Sequence, residues 1–213
     1  MKSLIDCHLY TFVDTAYLRG RDAGEVARQL CAGGSDIIQL RAKKESMDEA
    51  RRLAETILPI TRSAKIPLVI NDHPKMARDL GAEIVHLGQE DFFDAGYTDR
   101  SQFAALQPPL MIGLSSHAPE QAQRAVRAGA DYIAIGPVFA TGTKPGRAPV
   151  TVEYVRWAKA NVQIPWFAIG GIELQNLDSV MAAGARRICV VSAILNAPDL
   201  EVACREFRRR LLG

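Results

Sequence analysis

Gln39, Arg41 and Lys43 stand at alternate positions, so in an extended segment all three side chains leave the same side. Two cations and a carboxamide presented together suit a phosphorylated ligand. Further along, Asn71-Asp72 and the pair Gln89 and Asp91 each leave a carboxylate just past a run of branched apolar residues. Carboxylates brought close to one another repel unless a cation sits between them. An oxygen-only donor set with phosphates as co-ligands is the environment of Mg²⁺, which binds one or two carboxylates and keeps several waters. No H-E-x-x-H motif and no Cys/His cluster competes for a transition metal. Asp72 also has a plain structural reading, as the N-cap of a helix that Pro74 would open. Asp91 taken alone reads as a solvated loop carboxylate.

Other polar groups follow other apolar runs. Ser115, Ser116 and His117 come after one of them. His117 is the imidazole placed for acid–base work, because His8 and His86 sit inside strand-like runs and His73 follows Asp72 at a helix start. Gly170-Gly171, and then Val191-Ser192-Ala193, give main-chain N–H groups access to phosphate oxygens with no side chain intervening. The loop Thr141-Gly142-Thr143-Lys144-Pro145-Gly146-Arg147 has little apolar content and reads as a lid carrying Lys144. Arg41, Lys43 and Lys144 thus form one anion site, and the glycine pair with Ser192 forms another. Two anion sites imply two phosphorylated substrates or one bisphosphate.

A repeat sets the elements that must position these groups. Ala32-Gly33-Gly34-Ser35-Asp36, Leu80-Gly81-Ala82-Glu83, Ala128-Gly129-Ala130-Asp131 and Ala183-Gly184-Ala185-Arg186 are each followed by β-branched residues. The copies recur roughly every 50 residues, twice the length of one strand-plus-helix unit. Each glycine is expected to end a helix in the left-handed conformation, and each apolar run to be a buried strand. The remaining strands are expected at His8–Val13, at Ile66–Ile70 and Ile164–Ile169 (each opened by Ile-Pro), and at Leu110–Leu114. Helical patterns run over Glu25–Leu30, Met47–Ile60, Gln121–Arg127 and Glu201–Leu212, and Ser46-x-x-Glu49 is a capping box. Eight alternating βα units predict a (β/α)₈ TIM barrel, with an open doubly wound sheet as the competitor. Polar groups past seven of the eight strand ends favour the barrel, whose ends converge on one mouth.

The 213 residues and 48% apolar composition suit a single domain spanning 1–213. With 26 basic against 24 acidic residues, no bulk attraction to nucleic acid or anionic membrane is implied. Arg208-Arg209-Arg210 reads as a solvated last helical turn. No apolar span or leader is evident, and Cys7, Cys31, Cys189 and Cys204 lack C-x-x-C spacing, so a reduced, cytoplasmic protein is expected.

Six co-linear segments carry a family resemblance: Gln39-Leu40-Arg41-Ala42-Lys43, Asn71-Asp72, His86-Leu87-Gly88-Gln89-Glu90-Asp91, Thr141-Gly142-Thr143-Lys144, Ile169-Gly170-Gly171-Ile172 and Val190-Val191-Ser192-Ala193-Ile194. Together they resemble thiamine-phosphate synthase over nearly the whole chain. The resemblance implies a (β/α)₈ barrel that joins 4-amino-2-methyl-5-hydroxymethylpyrimidine diphosphate to 4-methyl-5-(2-phosphoethyl)thiazole, or its carboxylated form, and releases diphosphate with Mg²⁺. It implies that Gln39, Leu40, Arg41, Ala42, Lys43 and Asn71 hold the pyrimidine diphosphate and that Asp72 and Asp91 ligate the metal. Ser115 and Lys144 would complete the diphosphate grip, with Arg41 and Lys43 sharing the catalytic work. Thr141, Gly142, Thr143, Gly170, Gly171, Val191 and Ser192 would receive the thiazole phosphate. The implied chemistry is dissociative, which demotes His117.

Ala42 stands where many members of that family carry an acidic residue, Arg186-Arg187 replace a usual acidic-Gly pair, and the segment 92–109 is longer than usual. The partners are small phosphorylated molecules, with a homo-oligomer compatible with the sequence. Two alternatives differ in class. A thiazole tautomerase would use His117 and need neither carboxylate. A non-catalytic phosphate-binding barrel would need neither the metal site nor a lid lysine.

Overall fold

The computed structural model describes residues 2–104, 110–142 and 148–213. Eight strands, β1 (Leu9–Asp14), β2 (Ile37–Arg41), β3 (Leu68–Asn71), β4 (Ile84–Leu87), β5 (Met111–Ser116), β6 (Tyr132–Ile135), β7 (Trp166–Ile169) and β8 (Ile188–Cys189), pair in parallel and in chain order. β1 closes on β8, so the barrel prevails over the open sheet. Around it run α1 (Ala23–Ala32), α2 (Met47–Ser63), α3 (Pro74–Leu80), α4 (Ser101–Ala104), α5 (Pro119–Arg127), α6 (Thr151–Asn161), α7 (Leu177–Ala182), α8 (Ser192–Leu195) and α9 (Leu200–Leu212). Among the described residues, no helix is long and apolar enough to cross a membrane. The strands are buried on both faces, which is why they read as continuous apolar runs rather than alternating ones.

Several boundaries move by one or two residues. β1 gains Asp14, and β5 gains Ser115 and Ser116, because their partners on β2 and β6 extend that far. Pro67 and Pro165 stand just ahead of β3 and β7, where each uses only its carbonyl, accepting from Ile38 N at 3.2 Å and Ile133 N at 3.1 Å. The Ser46–Glu49 capping box is present at the start of α2. Gly81, Gly129 and Gly184 have positive φ, as the repeat predicts. In the first copy the left-handed residue is Gly34 (φ 86°), while Gly33 stays right-handed at −72°. Gly33 is small for another reason: a Cβ there would lie 2.6 Å from Cys204 Cβ, so the glycine lets α1 lie close against α9.

The acidic residue of the repeat has a role that the helix-stop reading leaves out. Asp36 Oδ2 accepts from the main-chain N–H of His8 at 2.8 Å and Leu9 at 3.1 Å. Glu83 Oε2 accepts from Leu68 N at 3.3 Å, and Asp131 Oδ2 from Ile112 N at 2.8 Å. Each acid precedes an even strand and satisfies the first free amide of the odd strand before it. The fourth copy has arginines instead, and there the Arg186 carbonyl pairs with His8 Nδ1 at 2.9 Å.

Asp36 is the most heavily engaged, with Lys2 Nζ at 2.6 Å and Arg208 Nη1 at 2.9 Å on its other oxygen. Arg208 is therefore an anchor of α9 rather than part of a solvated run. Arg209 and Arg210 pair with Glu206 and Asp178. Burial pushes the Asp36 carboxyl up, but the hydrogen bonds from Lys2, His8, Leu9 and Arg208 outweigh it and hold the group below the ordinary aspartate range. A carboxyl lowered in the folded state stabilises fully above its unfolded value, near about 4, and that contribution is lost as pH falls through the folded value. Asp36→Asn is expected to cost about 3 kcal/mol at pH 7. Its denaturant midpoint should also fall less than the wild type's between about pH 5 and pH 2. Parallel acid profiles for the two proteins would refute the assignment.

Candidate active site

Gln39, Arg41 and Lys43 all line one cavity at the C-terminal mouth of the barrel, together with Asn71 and Asp72 from β3 and its exit. Leu40 and Ala42 alternate with them and pack against the hydrophobic core, leaving only main-chain groups to offer the cavity. Arg41 is held from behind. Its Nη1 lies 2.9 Å from Asp14 Oδ2, the register partner on β1, and the Asp14 side chain is only 1% exposed. Asp14 Oδ1 also accepts from Ala16 N at 3.0 Å.

Asp72 is not a helix cap. His73 occupies the N-cap position of α3, without a side-chain bond, and Asp72 itself is left-handed at φ 64°. That conformation is uncommon for a residue with a side chain, and such strain concentrates at functional sites. The main chain is fixed by Asp72 N donating to the His86 carbonyl at 2.9 Å. Its carboxylate accepts from Asn71 Nδ2 at 2.6 Å and pairs with the Lys43 ammonium.

Asp91 lies in a π-helical turn, Glu90–Asp94. Phe92 plugs that turn into the core at 1% exposure, and the Arg124 guanidinium covers the Phe93 ring at 3.6 Å. The exposed Asp91 carboxylate lines the cavity and takes the Gly88 N–H at 3.3 Å. Among the described residues no group of three or more His, Cys, Asp or Glu gathers. Two carboxylates, one of them already drawing a cation, fit a metal that takes few protein oxygens, as Mg²⁺ does.

The far side of the mouth is built by Gly170 (φ 104°) and Gly171 (φ 61°) after β7. A Cβ on Gly171 would lie 2.6 Å from the Ala140 carbonyl, so the turn packs directly on the loop that follows β6. Asn176 clamps the turn by donating to the Gly171 carbonyl at 2.8 Å. Val191 and Ser192 line the same wall, and α8 begins at Ser192. Thr141 lines the cavity while Gly142 is exposed beside it. Thr143 and Lys144, with the rest of the expected lid to Arg147, lie outside the described residues.

The floor is polar. Gln39 Nε2 donates to Tyr10 OH at 2.5 Å, and Tyr10 OH lies 3.1 Å from Tyr132 OH. Tyr132 OH is 3.0 Å from His86 Nδ1, and His86 Nε2 is 3.0 Å from Ser115 Oγ. Burial pushes both phenols far up from their ordinary values, so they keep their protons. Phe12 and Phe167 pack on these rings, keeping the surroundings apolar. At the rim, His117 Nδ1 is engaged by the Gly136 carbonyl, and the main-chain N–H of His117 donates to Gln121 Oε1 at 2.7 Å.

Comparison with known proteins decides the family. The model for a family described as thiamine monophosphate synthase matches residues 9–194. The chain belongs to the thiamine monophosphate synthase family. It is 50% identical over 85% of its length to 85% of a thiamine-phosphate synthase of Thermus thermophilus. It is 37% identical, over 99% of its length and 95% of the relative, to a thiamine-phosphate synthase of Lawsonia intracellularis. Among solved structures, the thiamine phosphate pyrophosphorylase of Pyrococcus furiosus superposes with a TM-score of 0.82 at 29% identity, covering 97% of this chain and 98% of that one.

In this member of the thiamine monophosphate synthase family, the sequence alone did not single out Asp14 behind the mouth or Tyr10, Tyr132 and His86 at its floor. Asp14 was hidden because β1 was expected to end at Val13. Tyr10 and His86 were hidden because a residue inside a strand reads as core, whereas a barrel strand turns half its side chains toward the floor of the site. The adjacent register partners Asp14 and Arg41, opposite charges at two strand ends, were the available signal for Asp14.

Proposed function

We propose that the chain joins 4-amino-2-methyl-5-hydroxymethylpyrimidine diphosphate to a thiazole phosphate, giving thiamine phosphate and diphosphate. The observation that carries this reading is the convergence of Arg41, Lys43, Asp72 and Asp91 on one wall of a cavity whose opposite wall is the Gly170-Gly171 turn with Ser192. One wall suits a diphosphate and a cation, and the other suits a monophosphate. Coupling breaks the bond from the pyrimidine methylene carbon to the diphosphate oxygen, and the electron pair leaves with diphosphate. The thiazole nitrogen supplies the pair for the new C–N bond.

Such a reaction asks for charge neutralisation on the leaving group more than for a base. Arg41, fixed by Asp14, and Lys43 supply cationic donors to the leaving oxygens, and Ser115 adds a hydroxyl. Asp72 and Asp91 would hold Mg²⁺, which when bound supplies Lewis-acid neutralisation of the diphosphate. Gln39 and Asn71 present amides to the pyrimidine. Gly170, Gly171, Thr141 and Ser192 bind the thiazole phosphate, with Gly142, Thr143 and Lys144 contributing from the adjoining loop.

The test is diphosphate release, measured with each substrate singly, with both, and with or without Mg²⁺. Release is expected when both substrates and the metal are present, and His117→Ala is expected to keep activity within about threefold, because no proton transfer at the rim is required. No release with both substrates and metal, or loss of activity in His117→Ala with the fold intact, would overturn the reading.

A further inference from the structure

The hydrogen-bonded series under the cavity floor has one arrangement of protons that satisfies every link. Its five members come from five strands: Gln39 on β2, Tyr10 on β1, Tyr132 on β6, His86 on β4 and Ser115 on β5. All are buried, with exposures of 3%, 1%, 0%, 8% and 6%. Only the two ends, Gln39 and Ser115, and the flanks of Tyr10 and His86 reach the cavity. The arrangement is bought with a glycine: a Cβ on Gly113 of β5 would collide with the Tyr132 ring, so β5 gives up a side chain to seat that phenol.

Each link fixes the next. An amide NH₂ donates and cannot accept, so Gln39 Nε2 occupies a lone pair of Tyr10 and turns the Tyr10 proton toward Tyr132. In that arrangement the Tyr132 proton goes to His86 Nδ1, which accepts it. A neutral imidazole that accepts at Nδ1 carries its proton on Nε2, and that N–H points at Ser115 Oγ. With its oxygen already accepting, Ser115 has its own O–H left to donate. In apolar surroundings such a series is polarised cooperatively, and one reversed link would leave two donors or two acceptors facing each other.

We propose that His86 and Tyr132 are positioning residues that hold Ser115 as a one-way hydrogen-bond donor to an anionic oxygen in the cavity, with the sense of donation set by the Gln39 amide. The consequence for turnover rests on the proposed coupling reaction; the direction of the series does not. On that reading the anion is the departing diphosphate, whose charge grows as the C–O bond breaks. A donor that cannot turn to accept is worth more in that transition state than in the ground state.

Two measurements test this on the full chain. Side-chain ¹⁵N NMR without substrates, with the His86 signals assigned by their absence in His86→Asn, is expected to show a neutral ring protonated on Nε2. A ring protonated on Nδ1 would overturn the direction whatever the enzyme does. The second is a double-mutant cycle. Tyr132→Phe keeps the ring and removes one hydroxyl; it is expected to lower kcat for diphosphate release about tenfold with little change in KM. In a Ser115→Ala background the same change is expected to cost less than about twofold, because its effect travels through Ser115. A full tenfold loss in both backgrounds, or a loss carried by KM, would reduce Tyr132 to a packing residue. Absence of coupling in the wild type would instead overturn the functional reading, and the NMR result would still decide the direction of the series.

Discussion

Asp91→Asn is expected to lower Mg²⁺-dependent diphosphate release by about 10²- to 10³-fold, while leaving the thermal midpoint within about 2 °C of the wild type. The two halves of that expectation come from different properties of the residue. Asp91 is exposed, and its one described hydrogen bond is the 3.3 Å contact with the Gly88 amide, which an asparagine oxygen can equally accept. Folding therefore depends little on its charge. The turn that carries it is held by Phe92 in the core and by the Arg124–Phe93 contact, neither of which the substitution touches. What disappears is one of the two carboxylates that line the cavity, the pair proposed to hold Mg²⁺, and hard divalent cations depend on such donors.

Asp72 is the less informative position. Its carboxylate also balances Lys43 and accepts from Asn71, so neutralising it would disturb three groups at once. Mn²⁺ titration of Asp91→Asn, followed by paramagnetic resonance, should show a matching loss of affinity without reference to turnover. Activity and metal affinity both within about threefold of the wild type would remove Asp91 from the metal site.

Legibility followed the physics of each feature. The barrel was readable because the repeat Gly-Ala-Asp punctuates helix ends and strand starts at a spacing that only a strand-helix-strand-helix unit satisfies. The site wall of Gln39, Arg41 and Lys43 was readable because period-2 alternation needs no tertiary information. Three kinds of feature stayed hidden. The acids of the repeat, Asp36, Glu83 and Asp131, satisfy amides on the preceding odd strand, a pairing visible only once the parallel register is known. His86 and Tyr132 sit in apolar runs whose inward and outward faces are both buried, so hydropathy does not separate core from cavity floor. The strain at Asp72 is a backbone property, and its sequence context, Asp-His-Pro, suggested a helix cap instead.

Asp14 shows how far a hidden residue can matter. Asp14→Ala is expected to lower kcat/KM for the pyrimidine diphosphate about 100-fold, with most of the loss in KM, and to destabilise the fold by about 2 kcal/mol. Removing one partner of a fully buried ion pair costs about 3–5 kcal/mol, because the other charge is left without compensation. Here the remaining charge is the Arg41 guanidinium, which is 15% exposed and borders the cavity, so water can reach it and the cost is smaller.

The functional loss is a matter of aim. With Asp14 present, the guanidinium is tied through one edge at 2.9 Å, and its other donors are left for an anion in the cavity. Without that tie the side chain regains its rotamer freedom, which the substrate must then remove on binding. Asp14→Asn separates charge from geometry, since the amide oxygen still accepts from Arg41 but carries no charge. It should retain more activity than Asp14→Ala, in the order wild type, Asn, Ala. Steady-state kinetics with the thiazole phosphate saturating, alongside thermal melts, would measure both effects. Equal kcat/KM in all three proteins would mean that Arg41 finds its orientation without Asp14, and that the ion pair serves folding alone.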